Sequence, residues 1–253
     1  MLKNKLINNE LTLGSWLTLG SLSVTEIMAK ASFDWLVVDL EHSTISIDVA
    51  GEMIRIIDLC GVNPLVRLTS NDVNQIKRVM DAGANGIVVP MINSAEEARK
   101  AVKATRYSPD GTRGVGLARA QGYGVNFNEY LEWQVNEPVV IVQIEHIEAV
   151  DKLEEILTEP GVDGFIIGPY DLSCSMGIPG KFENDRFIEV MDFILDSGKK
   201  LNCSAGLHIV EPDVKKLEKS IFDGFTFIAY SVDSRMLDVA ARQGISKFNK
   251  LKK

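Results

Sequence analysis

The stretch from residue 139 to residue 171 reads VVIVQIEHIEAVDKLEEILTEPGVDGFIIGPYD, and it decides the fold. Residues 139–144 form an almost uninterrupted apolar run, residues 149–157 place apolar side chains at helical spacing, and residues 164–167 form a second apolar run. Strands that are covered on both faces have such continuous apolar character, which is typical of parallel sheets. The stretch therefore predicts a strand, a helix and a second strand parallel to the first.

The same unit recurs along the chain. Apolar runs predict strands at residues 13–19, 35–40, 65–68, 86–90, 139–144, 164–167, 204–207 and 225–229. Amphipathic segments predict helices at residues 24–31, 49–59, 73–82, 95–104, 149–157 and 214–220. Alternating units in a chain of 253 residues predict a (β/α)₈ TIM barrel, with residues 1–253 as a single domain. An open doubly wound sheet is the alternative, although the first βα turn lacks a GxGxxG motif.

Composition and charge limit the class of protein. The chain is 45% hydrophobic and 25% charged, which is ordinary for a globular protein. Its formal net charge of −8 disfavours nucleic acid and anionic membranes as partners. The 3 cysteines include no CxxC pair, which argues against a disulfide framework or a zinc site. No segment predicts a membrane span or signal peptide, so we expect a cytoplasmic protein with small-molecule partners.

Two acidic residues end consecutive predicted strands. Glu145 follows the fifth strand and Asp171 follows the sixth. Neighbouring strands lie about 4.8 Å apart, and active sites of barrels lie at the C-terminal ends of their strands, so these carboxylates can meet at one cation. Their hard oxygen donors suit Mg²⁺ or Mn²⁺. The alternative is that each carboxylate caps the helix that follows it.

Basic and histidine side chains are expected at the same end of the barrel. Arg67 ends the third strand, where its guanidinium suits a carboxylate or an enolate; a structural ion pair is the alternative. His42 follows the second strand, beside Asp39 and Glu41. It is predicted to be a general base, or else a structural loop residue. His208 has the same position on the seventh strand, with weaker support.

The GPYD segment predicts a place where the backbone approaches a ligand, with Pro169 and Tyr170 as substrate-binding residues, or else an ordinary turn. The methionines at positions 53, 80 and 91 are expected to pack in the core.

Longer segments resemble one protein family. They include WLVVDLEHSTIS at residues 35–46, PLVRLTSNDVNQIKRVMDAGANGIVVPM at residues 64–91, VVIVQIEHIEAV at residues 139–150 and VDGFIIGPYDLSCSMG at residues 162–177. In this order they closely resemble the HpcH/HpaI aldolases. These are class II pyruvate aldolases that include 4-hydroxy-2-oxoheptanedioate aldolase and 2-dehydro-3-deoxyglucarate aldolase. The resemblance covers roughly residues 13–180, and it implies a (β/α)₈ barrel.

The resemblance also implies a set of functional residues. It assigns metal ligation to Glu145 and Asp171, catalytic roles to His42, Arg67 and Asp81, and substrate binding to Arg67 and Gln143. It further implies a divalent ion such as Mg²⁺, Mn²⁺ or Co²⁺, and a homohexamer, a trimer of dimers, with an exchanged C-terminal helix. Asp81 ends the helix before the fourth strand, at the opposite end of its own barrel. We therefore expect it to act across a subunit interface or to be structural.

The resulting hypothesis is an aldolase that reversibly cleaves a 4-hydroxy-2-oxo acid to pyruvate and an aldehyde through an enolate. The acid is either a 2-dehydro-3-deoxy sugar acid or a 4-hydroxy-2-oxo diacid. Two alternatives are a citramalyl-CoA or malyl-CoA type lyase and a non-catalytic barrel that binds an acidic metabolite. No lysine lies within an apolar strand, which disfavours a Schiff base. The segments LARAQGYG and NCSAGLHIVEP depart from the family pattern, so the aldehyde remains open.

Overall fold

Eight parallel strands close into a barrel in the computed structural model, which describes residues 1–252. The strands are β1 (Thr12–Leu17), β2 (Trp35–Asp39), β3 (Asn63–Arg67), β4 (Gly86–Val89), β5 (Val139–Ile144), β6 (Gly164–Ile167), β7 (Ser204–Ile209) and β8 (Phe227–Val232). Each strand pairs with the next along the chain, and β8 pairs with β1. The predicted (β/α)₈ barrel is confirmed, and the open sheet is wrong.

Helices surround the barrel. They are α1 (Leu2–Ile7), α2 (Leu22–Ala29), α3 (Ile47–Leu59), α4 (Val73–Asp81), α5 (Ala95–Thr105), α6 (Phe127–Asn136), α7 (Ile147–Asp151), α8 (Leu153–Leu157), α9 (Pro169–Ser175), α10 (Asp185–Lys200), α11 (Val214–Asp223) and α12 (Asp233–Leu251). A 3-10 turn spans Arg119–Gly124. The predicted helix at residues 149–157 is two short helices, and α1, α6 and α10 lie where none was predicted. No helix within residues 1–252 is long and apolar enough to cross a membrane.

The inside of the barrel is filled by large side chains. Trp35 of β2 is fully buried and stacks on Phe227 of β8, with 4.0 Å between the ring centres. A Cβ atom at Gly14 of β1 would lie 2.1 Å from the Trp35 ring. Only glycine therefore fits at position 14, because the tryptophan ring occupies the space that a side chain would need.

The short helix α1 covers the N-terminal end of the barrel. Its Leu2 and Leu6 are buried against the inner core. The Lys3 ammonium donates to the Pro138 carbonyl at 2.8 Å and lies 2.9 Å from the Asp163 carboxylate. With this end covered, the C-terminal ends of the strands form the open face of the barrel.

Candidate active site

A cavity of about 290 Å³ opens at the C-terminal ends of the strands. Its wall includes seven residues that the sequence singled out: His42, Arg67, Gln143, Pro169, Tyr170, Asp171 and His208. The fold thus brings together side chains from β2, β3, β5, β6 and β7 that are far apart along the chain.

Arg67 occupies the last position of β3, paired in register with Asp39 of β2. Its Nε donates to Asp39 Oδ1 at 2.9 Å, and its Nη2 donates to Asp39 Oδ2 at 2.7 Å. Its Nη1 lies 3.2 Å from Glu41 Oε2, and its guanidinium carbon lies 4.4 Å from the centre of the Trp16 ring. A guanidinium held by a fork of hydrogen bonds and an aromatic face has a fixed orientation. Arg67 therefore forms the structural ion pair and also faces the cavity.

The turn after β2 carries His42. Asp39, which is buried, also accepts hydrogen bonds from the backbone N–H of Glu41 at 3.0 Å and of His42 at 3.3 Å. The imidazole itself is exposed, with its Nε2 3.9 Å from Glu41 Oε2. One carboxylate therefore positions both Arg67 and the turn that presents His42.

Glu145 directly follows β5, and only 3% of it is exposed. Its Oε1 accepts a hydrogen bond from the backbone N–H of Met91 at 2.7 Å, and its Oε2 accepts one from the amide of Gln143. Burial above all, together with the charges of the neighbouring Glu41 and Asp171 carboxylates, raises the pKa of Glu145 to about 7 in spite of these two hydrogen bonds. A cation beside this carboxylate would favour its ionised form.

The turn between β6 and α9 brings Asp171 towards Glu145. Asp171 lies in the first turn of α9 and is exposed. Its charge contributes to the raised pKa of both Glu41 and Glu145, so the three carboxylates repel one another. A Cβ atom on Gly168 would lie only 2.8 Å from Glu145 Oε2, which shows how closely this turn approaches the buried carboxylate.

Pro169 and Tyr170 form the start of α9. A proline at the first helical position is favoured because its missing N–H would have no helical partner there. The Tyr170 ring packs edge-on against Phe182, with 4.9 Å between the ring centres. Both residues line the cavity, so the GPYD turn is part of its wall.

Acidic side chains at and beside the cavity suit a divalent cation. Asp171 lines the cavity, Asp39 and Glu41 are paired with Arg67, and the charges of Glu41 and Asp171 act on the buried Glu145. Glu41 Oε2 is buried and has no hydrogen-bond partner among residues 1–252, although it lies 3.2 Å from Arg67 Nη1 as an ion pair. Such oxygen donors are the ligands that Mg²⁺ and Mn²⁺ prefer. Within residues 1–252, no group of three or more His, Cys, Asp or Glu side chains is arranged to hold a metal ion by itself.

His208 lies in β7 and lines the cavity. Its ring packs at 5.3 Å from the Trp16 ring, and its Nε2 lies 3.1 Å from the carbonyl oxygen of Ser231. Burial above all, together with the positive charge of Arg67, lowers the pKa of His208 to about 4. The imidazole is therefore neutral near pH 7.

Asp81 does not line this cavity. It ends α4, and its Oδ1 accepts a hydrogen bond at 2.7 Å from Arg113, whose side chain is buried between Tyr107 and Tyr130. The position agrees with the expectation that Asp81 lies away from His42 of its own chain. Within one chain its visible role is to neutralise a buried guanidinium.

Sequence reasoning overlooked three contributions to the site. Trp16 supplies the aromatic face for Arg67 and His208, and Asp39 organises Arg67 and the His42 turn. The expectation that Met91 packs in the core is wrong, because 46% of it is exposed, although Met53 and Met80 are buried. Met91 has a left-handed backbone, with φ of 53°, that directs its N–H at Glu145. Two signals in the sequence were available. Glu145 directly follows a predicted strand, and Asp39 is an acidic residue at the end of an otherwise apolar strand.

Comparison with known proteins gives a consistent match. The family model described as HpcH/HpaI aldolase/citrate lyase matches residues 12–239. A 4-hydroxy-2-oxo-heptane-1,7-dioate aldolase of Shigella sonnei is 36% identical over 237 residues, covering 93% of this chain and 90% of that protein. A 2-keto-3-deoxy-L-rhamnonate aldolase of Shigella dysenteriae is 36% identical over 253 residues, covering 97% and 92%.

A solved structure gives the same result in three dimensions. The crystal structure of an HpcH/HpaI aldolase/citrate lyase family protein from Burkholderia cenocepacia superposes with a TM-score of 0.92 at 33% identity, covering 98% of each chain. The resemblance drawn from the sequence segments is confirmed over nearly the whole length of the chain.

Proposed function

We propose a function from the premise that this chain belongs to the HpcH/HpaI aldolase/citrate lyase family. It is a divalent-metal-dependent carbon–carbon lyase, an aldolase that reversibly cleaves a 4-hydroxy-2-oxo acid to pyruvate and an aldehyde. The observation that carries the proposal is the meeting of Arg67, Gln143 and Asp171 with His42 in one cavity, beside the buried Glu145. The relatives named aldolases match over most of their length, which favours this chemistry over a CoA-ester lyase and over a non-catalytic barrel.

Glu145 and Asp171 are the proposed metal ligands, and Mg²⁺, Mn²⁺ or Co²⁺ the proposed ions. When bound, a divalent cation supplies Lewis acidity towards the carbonyl of the 2-oxo acid. The hydrogen bonds from Met91 and Gln143 hold the Glu145 carboxylate in one orientation. Such partners behind a ligand commonly govern how tightly the ion is held.

Arg67 is the proposed stabiliser of negative charge. When the bond between C3 and C4 breaks, its electron pair moves onto the three-carbon fragment as an enolate. Asp39 and Trp16 fix the guanidinium before the reaction, so no reorganisation is needed as the charge develops. Gln143, whose amide donates to Glu145, lines the cavity between the metal ligands and the barrel interior.

His42 is the proposed general base. In the cleavage direction its imidazole accepts the proton of the C4 hydroxyl, directly or through a water molecule, as the aldehyde carbonyl forms. In the synthetic direction the same proton returns to the new alkoxide. An exposed imidazole at the mouth of the cavity can exchange that proton with solvent.

Assembly is a further part of the proposal. Leu237, Ile245, Phe248 and Leu251 of the C-terminal helix α12 are each more than half exposed. These side chains support the exchange of α12 between subunits of a homohexamer, a trimer of dimers. In such an assembly Asp81 of one subunit would act on His42 of another, and it would be structural otherwise.

The test is a metal-supplemented screen. The purified chain is offered a panel of 4-hydroxy-2-oxo acids with MnCl₂, and pyruvate release is followed with lactate dehydrogenase and NADH. We expect EDTA to abolish pyruvate release and Mn²⁺ to restore it. Borohydride treatment in the presence of pyruvate should leave the activity intact, because none of the eight strands contains a lysine that could form a Schiff base. Activity that survives EDTA but not borohydride would overturn the proposal.

A further inference from the structure

We propose that His208 is a specificity-determining residue that accepts a hydrogen bond from a hydroxyl group of the aldehyde, so that the site takes a hydroxylated, uncharged aldehyde in preference to one that ends in a carboxylate. This inference rests on the proposed function. The sequence left two substrate classes open, and the inference favours the 2-dehydro-3-deoxy sugar acids over the 4-hydroxy-2-oxo diacids.

The hydrogen-bond partner of His208 defines its tautomer. Nε2 lies 3.1 Å from the carbonyl oxygen of Ser231, and a carbonyl oxygen can only accept, so Nε2 carries the hydrogen. The same carbonyl accepts a hydrogen bond from the Ser15 hydroxyl at 3.2 Å. Ser231 itself has a left-handed backbone, with φ of 56°. The acceptor of the Nε2–H is therefore held in place from several sides.

The other ring nitrogen is available to a ligand. Nδ1 forms no hydrogen bond to any group within residues 1–252, and His208 lines the cavity. Because burial lowers the pKa of His208 to about 4, Nδ1 carries a lone pair rather than a proton near pH 7. A neutral acceptor of this kind binds a hydroxyl hydrogen, and it offers nothing to a carboxylate, which can only accept.

The surrounding charges also disfavour a second carboxylate on the aldehyde. Arg67 is already bound by Asp39 and Glu41. The groove that continues from the cavity past His208 contains two lysines and three acids, namely Lys216, Lys219, Glu183, Glu211 and Asp223. Lys219 is paired with Asp223 at 2.6 Å. An anionic chain end in this groove would meet no net positive charge.

The test compares three aldehydes as acceptors for pyruvate: D,L-glyceraldehyde, propanal, and succinic semialdehyde. Glyceraldehyde and propanal have equal carbon chains and differ in hydroxyl groups. The variants are His208→Gln, which keeps a donor for the Ser231 carbonyl but has no acceptor at the place of Nδ1, and His208→Asn, which does the reverse. Because intrinsic aldehyde reactivity is the same for every variant, the ratio of kcat/KM between two aldehydes isolates the contribution of residue 208.

One neutral hydrogen bond corresponds to a change of roughly threefold to tenfold. We expect the glyceraldehyde-to-propanal ratio to fall by that factor in His208→Gln and to change less in His208→Asn. Mn²⁺ affinity and the circular dichroism spectrum should be unaltered in both variants. Wild-type preference for succinic semialdehyde, or an unchanged ratio in His208→Gln, would overturn the inference while leaving the aldolase function standing. Failure of all three aldehydes to give product would overturn the proposed function as well.

Discussion

Replacing Gly168 by alanine should weaken metal binding without unfolding the protein. The added Cβ would lie 2.8 Å from Glu145 Oε2 and 2.9 Å from Glu145 Cβ. The backbone at Gly168 has φ of −97° and ψ of 87°, which other residues also adopt. The effect of the substitution is therefore the contact with the Glu145 side chain and not backbone strain.

The required displacement follows from the geometry. An ordinary van der Waals contact begins at 3.4 Å, so the carboxylate oxygen must withdraw by about 0.6 Å. Metal–ligand distances vary by only about 0.2 Å around their usual values. Disturbing the support of a ligand commonly costs roughly 10- to 100-fold in metal affinity, and we expect a loss of that size. Overpacking of this kind costs about 1–3 kcal/mol of stability.

The assay is the electron paramagnetic resonance signal of free Mn²⁺ during titration of the protein. Gly51→Ala is the matched control, because a Cβ at that position in α3 meets only Ala82 at 3.9 Å. The control should bind Mn²⁺ like the wild type and should be equally or more stable in thermal unfolding. Wild-type Mn²⁺ affinity in Gly168→Ala, or equal losses in both variants, would refute the reasoning.

Three further predictions concern individual side chains. Arg67→Lys removes the planar fork bound to Asp39, so kcat in the pyruvate-release assay should fall roughly 10²- to 10³-fold. The circular dichroism spectrum should be unchanged, and a fall in kcat below about twofold would argue against the proposed role of Arg67. Because burial raises the pKa of Glu145 to about 7, its ionisation destabilises the metal-free fold as the pH rises from about 4.5 to about 7. In urea unfolding with EDTA, the free energy of unfolding of Glu145→Gln should therefore exceed that of the wild type by about 3 kcal/mol at pH 8 and equal it at pH 4. Equal free energies of unfolding at both pH values would contradict this prediction. His42→Ala and Asp81→Asn chains, each inactive alone, should regain activity when co-expressed if Asp81 acts across a subunit interface; mixed assemblies no more active than either parent would remove Asp81 from that role.

The strands and the strand-end residues could be predicted because local patterns encode them. Continuous apolar runs marked all eight strands, and β5 and β6 agree with the predicted bounds. The alternation of units implied that Glu145 and Asp171 follow neighbouring strands, although β6 ends at Ile167 and Asp171 lies in the first turn of α9. Helices were harder to predict, since α10 follows a loop without a clear boundary signal and α6 lies inside a long connection.

Other features depend on three-dimensional contacts that no local pattern records. Trp16 is buried in the core of the barrel, and its face is shared by Arg67 and His208. Met91 acts through its backbone N–H, which the identity of its side chain does not reveal. Asp39 is buried at a position where an apolar residue would be expected. Its charge is accommodated because the pairing of β2 with β3 places Arg67 beside it. The contacts that Asp81 would make with another subunit depend on how the chains assemble, and no local sequence pattern records this.

The central claim is that Glu145 and Asp171 jointly hold one divalent ion. Isothermal titration with Mn²⁺ of the wild type, Glu145→Gln, Asp171→Asn and the double variant tests it most directly. We expect one ion per chain in the wild type, a large loss of affinity in each single variant, and little further loss in the double variant, because both ligands serve the same ion. Single variants that bind Mn²⁺ as tightly as the wild type would contradict it.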